Sequence, residues 1–431
     1  MTTRSVDALV VGGGSAGLAA ALRLREAGAS VAVVEREPFL GGILLQCIHS
    51  GFGLHVFGED LTGPEYAERF VRPTLAAGIE VFTDTTAMEI ARDDNGSGSK
   101  TVLALSGSLG VLRFTCQAIV LAMGCRERNR GNVPIAGSRP AGIFTAGLAQ
   151  RLVNVEGCIP GRRVVIVGSG DIGLIMARRL SLVGCEVLGV IEIQPYPSGI
   201  VRNIVQCLND FGIPLHLSHV VSRIDGRERV ESVEVTPLED GQPIPEKRFR
   251  IACDTVLLSV GLIPENELSR AAGIVINDGC GGPWVDADLM TGVPGIFACG
   301  NVLHVHDLVD FVTEEARACG GRVAAYLARR AVPGVAVPRG TAPAQVKVIP
   351  GANVRYVVPC TCATDRENVL FLRSMVVKNN GVLEVKADGS TLLTRKLAHV
   401  QPSEMIRLAL PASPALAGSG AARTGLEVSI R

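Results

Sequence analysis

The chain has 431 residues, enough for two or three domains of ordinary size, and its 42 basic residues balance 42 acidic ones. That neutrality argues against nucleic acid or an anionic membrane surface as a partner, and no uninterrupted apolar run of about 18 residues marks a membrane span. Hydrophobic residues make up 47% and aromatics 4%, an aliphatic globular composition. The twelve cysteines have no repeated spacing and several lie in apolar runs such as "GIFACGN", so they read as small buried hydrophobes in a reducing cytoplasm. The apolar opening is split by glycines and is not expected to be a signal peptide.

Residues 8–35, "ALVVGGGSAGLAAALRLREAGASVAVVE", predict strand, glycine turn, helix and second strand. Gly12, Gly14 and Gly17 form GxGxxG: a tight turn, a close approach to a pyrophosphate, and close helix–strand packing. Ser15 and Ala16 stand at the helix N-terminus that faces the phosphates. Glu35, followed by Arg36, is placed to bind ribose hydroxyls. The glycine-rich "GGILLQCIHSGFGL", residues 41–54, follows and contains Gly42, a lone Cys47 and His49. Thr62, Pro64 and Glu65 then predict a helix start with a capping box.

The unit recurs at residues 163–192, "RVVIVGSGDIGLIMARRLSLVGCEVLGVIE". Gly168, Gly170 and Gly173 repeat the motif, with Asp171 and Ile172 opening the helix. Glu192 falls one residue past the position equivalent to Glu35, which makes it the less certain ribose ligand. If it reaches the ribose, its charge disfavours a 2′-phosphate, so NAD(H) is expected rather than NADP(H). Two such units mean two dinucleotides, commonly a tightly held flavin and an exchanging nicotinamide, an arrangement that transfers hydride.

Residues 340–410 read differently. Short β-branched runs are separated by turn residues, including Asn380-Gly381 and Asp388-Gly389, and predict a small β-sandwich. Cys360 and Cys362 supply two ligands of a metal site at most, so no metal site is expected. Residues 411–431 read as a flexible tail.

With both glycine motifs in place, the sequence resembles the pyridine nucleotide-disulfide oxidoreductase superfamily over about residues 5–330. "AIVLAMGCRER", with Ala122 and Gly124, is similar to the family's crossover out of its flavin domain. "TGVPGIFACGNV" is similar to the segment that returns to the flavin, with Asn301 after Gly300 where the family has an acid that contacts the ribityl chain. The resemblance implies an α/β, glutathione-reductase-like fold: an FAD domain split between residues 1–120 and 255–335, an NAD(H) domain inserted at 121–254, and the small all-β domain behind them. "DTVLLSVGLIPENEL" would be the return strand.

The family's paired redox cysteines are absent, which leaves Cys47 as a lone redox thiol or a packing residue, and His49 as a proton donor near the flavin or a loop residue. His304 and His306 precede a helix with an expected N-cap at Asp307 or Asp310, and stand near the ring or as solvent-facing cap residues. "GGILLQCIHSGFGLH" and "GNVLHVHDLVDFV" further resemble a subgroup of flavoproteins found beside glycerol-3-phosphate dehydrogenase-like proteins, related to a subunit of hydrogen cyanide synthase, opine oxidase and hydroxyproline dehydrogenase. That likeness implies a partner flavoprotein and a small iron–sulfur protein, and a substrate that is small and polar. The alternatives are a self-sufficient NADH oxidase, peroxidase or disulfide reductase using Cys47, and a non-catalytic flavin-binding assembly subunit.

Overall fold

A computed structural model describes residues 1–91, 98–330, 345–412 and 425–431. The junction between the expected second FAD segment and the expected β domain, and positions 413–424 of the expected tail, lie outside the described residues. The chain forms two compact units, residues 1–125 with 264–431, and residues 126–263.

The first unit opens with β1 (Thr2–Val11), α1 (Ser15–Glu26) and β2 (Val31–Val34). Ala8–Val11 and all of β2 are buried, as strands of a parallel sheet covered on both faces must be. After α2 (Gly63–Ala76), β3 (Glu80–Phe82), β4 (Thr85–Ala91), β5 (Lys100–Ser106) and β6 (Gly110–Leu121) complete this half. The sheet runs β3-β2-β1-β6-β5-β4, parallel from β3 to β6 and antiparallel beyond. At α2, Thr62 and Glu65 cap one another's backbone and side chain as the capping box requires.

The second unit carries β7 (Ile143–Thr145), β8 (Arg163–Val167), α3 (Asp171–Leu182), β9 (Glu186–Ile191), β10 (Leu215–His216) and β11 (Thr255–Leu258). Its parallel sheet runs β7-β11-β8-β9-β10. This corrects the expected boundary at 254. The strand at 255–258 lies between β7 and β8, so it completes this unit's sheet and the chain returns to the first unit only after Ile263.

Back in the first unit, β12 (Ile296–Ala298) adds to β6 in parallel, and α4 (Val309–Arg330) packs on α1. The approach is close: a Cβ on Gly320 would come within 2.7 Å of the Ala20 carbonyl oxygen. Neither acid expected as N-cap faces the helix end. Asp307 accepts from Arg373 and from the Met405 N–H, and Asp310 accepts from the Gly53 and Val56 N–H groups.

The C-terminal strands are β13 (Gln345–Pro350), β14 (Val354–Val358), β15 (Thr361–Ala363), β16 (Asn368–Ser374), β17 (Lys378–Ala387), β18 (Ser390–Val400), β19 (Met405–Leu410) and β20 (Leu426–Ile430). They make a five-stranded sheet, β15-β13-β20-β17-β18, and a three-stranded one, β14-β16-β19. Asp388 and Gly389, both at positive φ, turn β17 into β18, as a type I′ hairpin demands. Asn380-Gly381 forms no hairpin; both residues lie inside β17.

The tail reading is also corrected. Leu426, Val428 and Ile430 are buried in β20, between β13 and β17, a partnership between distant segments that local composition cannot reveal. Three arginines tie the β domain to the rest of the first unit: Arg366 to Asp288 at 2.5 Å, Arg373 to Asp307, and Arg407 to Glu314. Tyr356 and Val358 join that half's hydrophobic core. No helix among the described residues is long and apolar enough to cross a membrane.

Candidate functional site

Each unit carries one glycine corner. In the first, Gly12 has φ +110, and a Cβ there would lie 2.4 Å from the Ala122 carbonyl oxygen; on Gly17 it would lie 1.8 Å from the Gly12 oxygen. These two glycines let strand, turn and helix touch. Gly14 is different, since the nearest atom to a Cβ is the Gly42 Cα at 3.9 Å. Gly14 also gives α1 no side-chain cap, so the first-turn N–H groups, which have no intrahelical acceptor, are left for another acceptor. Space beside an uncapped helix N-terminus suits a pyrophosphate. Glu35 is buried at the end of β2, accepting from the Gly13 N–H at 2.6 Å and the Glu37 N–H at 2.8 Å, and Arg36 beside it is exposed.

The second corner repeats this geometry. Cβ atoms would lie 2.1 Å from the Ser259 oxygen at Gly168 and 2.8 Å from the Ser259 Cβ at Gly173, whereas Gly170 has open space to 3.6 Å and gives α3 no side-chain cap, although the Gly173 N–H donates to Ser259 Oγ at 3.0 Å. The one-residue offset of Glu192 disappears in the fold. The register of β8 and β9 shifts between Val164 and Val165, passing over Leu188, so a bulge absorbs the extra residue. Gly168 N–H then bonds Ile191 O at 2.8 Å as Gly12 bonds Val34 O at 2.8 Å, and Glu192 N–H bonds His216 O as Glu35 N–H bonds Phe82 O.

Glu192 is also more fully engaged than its counterpart. It accepts from Ser169 N–H (2.9 Å), Ser169 Oγ (2.5 Å), Ser198 Oγ (3.2 Å) and Gln194 N–H (2.9 Å). The Asp171 carboxylate accepts from Ile200 N–H and Asn203 Nδ2, and Ile172 packs against the unit's core. Ser169, Ser198, Asn203 and Ser259 were not singled out in the sequence; their position beside a motif whose variable places accept any small residue gave no signal.

The returning segment places Gly300 at φ +74, where a Cβ would lie 2.7 Å from the Ala16 Cβ. Asn301 Oδ1 accepts the His306 N–H at 3.0 Å, and its Nδ2 lies 3.6 Å from Cys125 Sγ. Gly124, at the crossover, has φ +73 and nothing within 4 Å of a Cβ. Gly42 (φ +59) would bring a Cβ to 3.0 Å from the Gly14 Cα.

His304 and His306 are not solvent-facing caps. Both side chains are fully buried, against the Phe371 ring and beside Glu315 of α4. His304 Nε2 is 2.7 Å from Glu315 Oε2, and Glu315 Oε1 accepts the Gly300 N–H at 2.6 Å. Burial opposes charge on Glu315, yet the two adjacent imidazoles outweigh it and hold the carboxyl well below its usual range. Burial, and then the neighbouring His306, depress His304 to about 4. Glu315 was not singled out in the sequence, where it reads as one more acid on a helix.

Cys47 follows the short helical turn Gly42–Gln46. α2 begins beside it, but Gly63 N–H donates to the Cys47 carbonyl, not to sulfur. The thiol donates to the Ile43 carbonyl at 3.4 Å, and burial pushes its pKa up to about 12. A nucleophilic or redox cysteine needs the reverse. His49 bonds the Ser50 carbonyl through Nδ1 and packs on Phe52.

The pyridine nucleotide-disulphide oxidoreductase family matches residues 6–322, through both corners and the returning segment. The chain belongs to this family. It is 29% identical over 296 residues to the HcnB subunit of hydrogen cyanide synthase from Pseudomonas protegens, covering 63% of this chain and 60% of that one. It is 28% identical over 346 residues to an opine oxidase subunit from Agrobacterium tumefaciens, covering 75% and 65%. The chain thus spans under two thirds of the length of these relatives. The thioredoxin reductase structure of T. acidophilum superposes with a TM-score of 0.61 at 20% identity, over 75% of this chain and 98% of that one, a likeness of fold. Members of the family are FAD-dependent oxidoreductases that use pyridine nucleotides.

Proposed function

We propose that this chain binds FAD at the first corner and NAD(H) at the second, moves hydride between them, and works as the nicotinamide–flavin component of a multi-subunit dehydrogenase acting on a small polar substrate. The carrying observation is the pair of matching corners, each with two crowded glycines, one open glycine at the helix N-cap that supplies no side-chain cap, and a buried acid at the next strand's end. When bound, the two cofactors supply the hydride chemistry, and the protein supplies position and charge.

For FAD, the N–H groups of Gly14, Ser15 and Ala16 face the pyrophosphate, Glu35 takes ribose hydroxyls with Arg36 at the rim, and Gly12 and Gly17 hold the turn. Gly42, Ala122, Gly124, Gly300 and Asn301 line the remaining path. For NAD(H), Gly168, Gly170 and Gly173 shape the loop, Asp171 and Ile172 offer backbone N–H groups, and Glu192 meets the ribose with a charge that disfavours a 2′-phosphate. HcnB and the opine oxidase relative are both named as subunits, which supports a partner-dependent role, with a second flavoprotein and a small iron–sulfur protein as the expected companions.

The high thiol pKa of Cys47 disfavours a self-sufficient peroxidase or disulfide reductase. Anaerobic titration with NADH tests the reading. Full flavin bleaching at one equivalent per flavin is expected. Failure of NADH to reduce the flavin would refute it, and uptake of a second equivalent would restore a thiol centre.

A further inference from the structure

We propose that His304, His306 and Glu315 bind a divalent first-row transition ion, zinc or ferrous iron, in the core where α4 meets the C-terminal β domain. The donor atoms of the three side chains all lie within 4.8 Å of one another. The carboxylate is 2.7 Å from His304 Nε2 and 3.4 Å from His306 Nε2. Metal–ligand bonds of about 2.0–2.2 Å set neighbouring donors roughly 3–3.5 Å apart, so the three side chains reach one ion after side-chain adjustments on the order of an ångström.

His306 carries the inference. Every imidazole has at least one N–H, yet neither ring nitrogen of His306 makes a well-directed hydrogen bond, although the side chain is 0% exposed. One ring nitrogen of a neutral imidazole carries a lone pair, and a buried lone pair without a partner calls for something to satisfy it, such as an ion. No arginine or lysine pairs with Glu315 among the described residues. The nearby Arg373 is directed at Asp307 and the Val305 carbonyl. An ion held by His306 Nε2, His304 Nε2 and Glu315 Oε2 gives the unpartnered Nε2 of His306 a partner for its lone pair and gives the Glu315 carboxylate a positive counter-charge. It leaves Glu315 Oε1 on the Gly300 N–H, which orients the ligand from behind.

Two imidazoles and a carboxylate form a borderline donor set that favours zinc or ferrous iron over magnesium or calcium. The site lies close to Asn301 and shares Gly300 with the returning segment, so the ion would stiffen that segment. It does not depend on which nucleotides the corners hold.

The test is metal analysis of the purified full-length flavoprotein, after incubation with Zn²⁺ or, anaerobically, Fe²⁺, and desalting. About one ion per chain is expected, with at least a tenfold loss in His306→Phe and in Glu315→Gln, while circular dichroism and flavin content report folding separately. Less than about 0.1 ion per wild-type chain after both incubations would overturn the proposal. So would a folded His306→Phe protein that holds as much metal as wild type. The wild-type measurement decides the matter even if neither variant folds.

Discussion

The two kinds of glycine in the first corner predict opposite responses to one added methyl group. Gly17→Ala places a Cβ 1.8 Å from the Gly12 carbonyl oxygen and 3.2 Å from Val10 Cγ1. Real Cβ contacts under 3.0 Å essentially never occur and ordinary contact lies at 3.4–4 Å, so α1 must retreat by more than an ångström from a buried sheet. Overpacking of that kind costs about 1–3 kcal/mol, roughly 2–10 °C in melting temperature for a unit of this size. Gly14→Ala meets nothing closer than 3.9 Å at φ −82. Its cost to the apoprotein should be about 0.5–1 kcal/mol, the loss of a glycine N-cap, while the methyl group enters the approach to the α1 N-terminus and weakens FAD at least tenfold, about 1.4 kcal/mol. Thermal melting of deflavinated protein and equilibrium flavin titration separate the two effects. An unchanged Gly17→Ala melting temperature, or a Gly14→Ala apoprotein as unstable as Gly17→Ala, would refute the assignment of packing to one glycine and binding to the other.

Glu192→Gln should raise the KM for NADH several-fold with flavin content unchanged and should narrow the preference over NADPH; steady-state kinetics with both nucleotides would show it, and an unaltered ratio would count against a ribose contact. Arg373→Met strips Asp307 and the Val305 carbonyl of a mostly buried donor, at a cost of about 2–4 kcal/mol, visible as a lower urea midpoint. Because burial raises the folded pKa of Cys47 above the 9.0 of a free thiol to about 12, its protonated form persists through neutral and mildly alkaline pH. Alkylation at pH 8 followed by mass spectrometry should label the exposed Cys158 well before Cys47, and Cys47→Ser should keep turnover within about twofold. Rapid labelling of Cys47 would restore the thiol mechanism.

Both corners were legible in the sequence because each is local: about thirty consecutive residues carry strand, turn, helix and acid. The β-branched runs of the C-terminal domain were legible for the same reason, through period-two alternation and the Asp388-Gly389 turn. What stayed hidden depends on residues far apart in the chain. The extra residue before Glu192 looked like a defect because a bulge at Leu188 is invisible to spacing. The Thr255–Leu258 strand reads equally well for either unit, since only its neighbours decide which sheet it joins. Leu426–Ile430 looked like the end of a small-residue tail because its partners lie at 345–350 and 378–387. His304 and His306 were visible, but their burial, and Glu315 facing them, come from packing between α4 and a domain of separate composition.

The interrupted layout of the first unit also bears on the order of folding. The inserted unit is a continuous stretch, residues 126–263, and draws every strand of its parallel sheet from within itself. The first unit takes β12 and α4 from beyond the insertion, so β6 lacks its β12 neighbour, and α1 lacks its closest helix, until the inserted unit has been synthesised. Loop closure across an already compact insert is less demanding than closure across the same length of coil. The inserted unit should therefore gain protease resistance first during synthesis and refolding, and the first unit should follow as its two pieces meet.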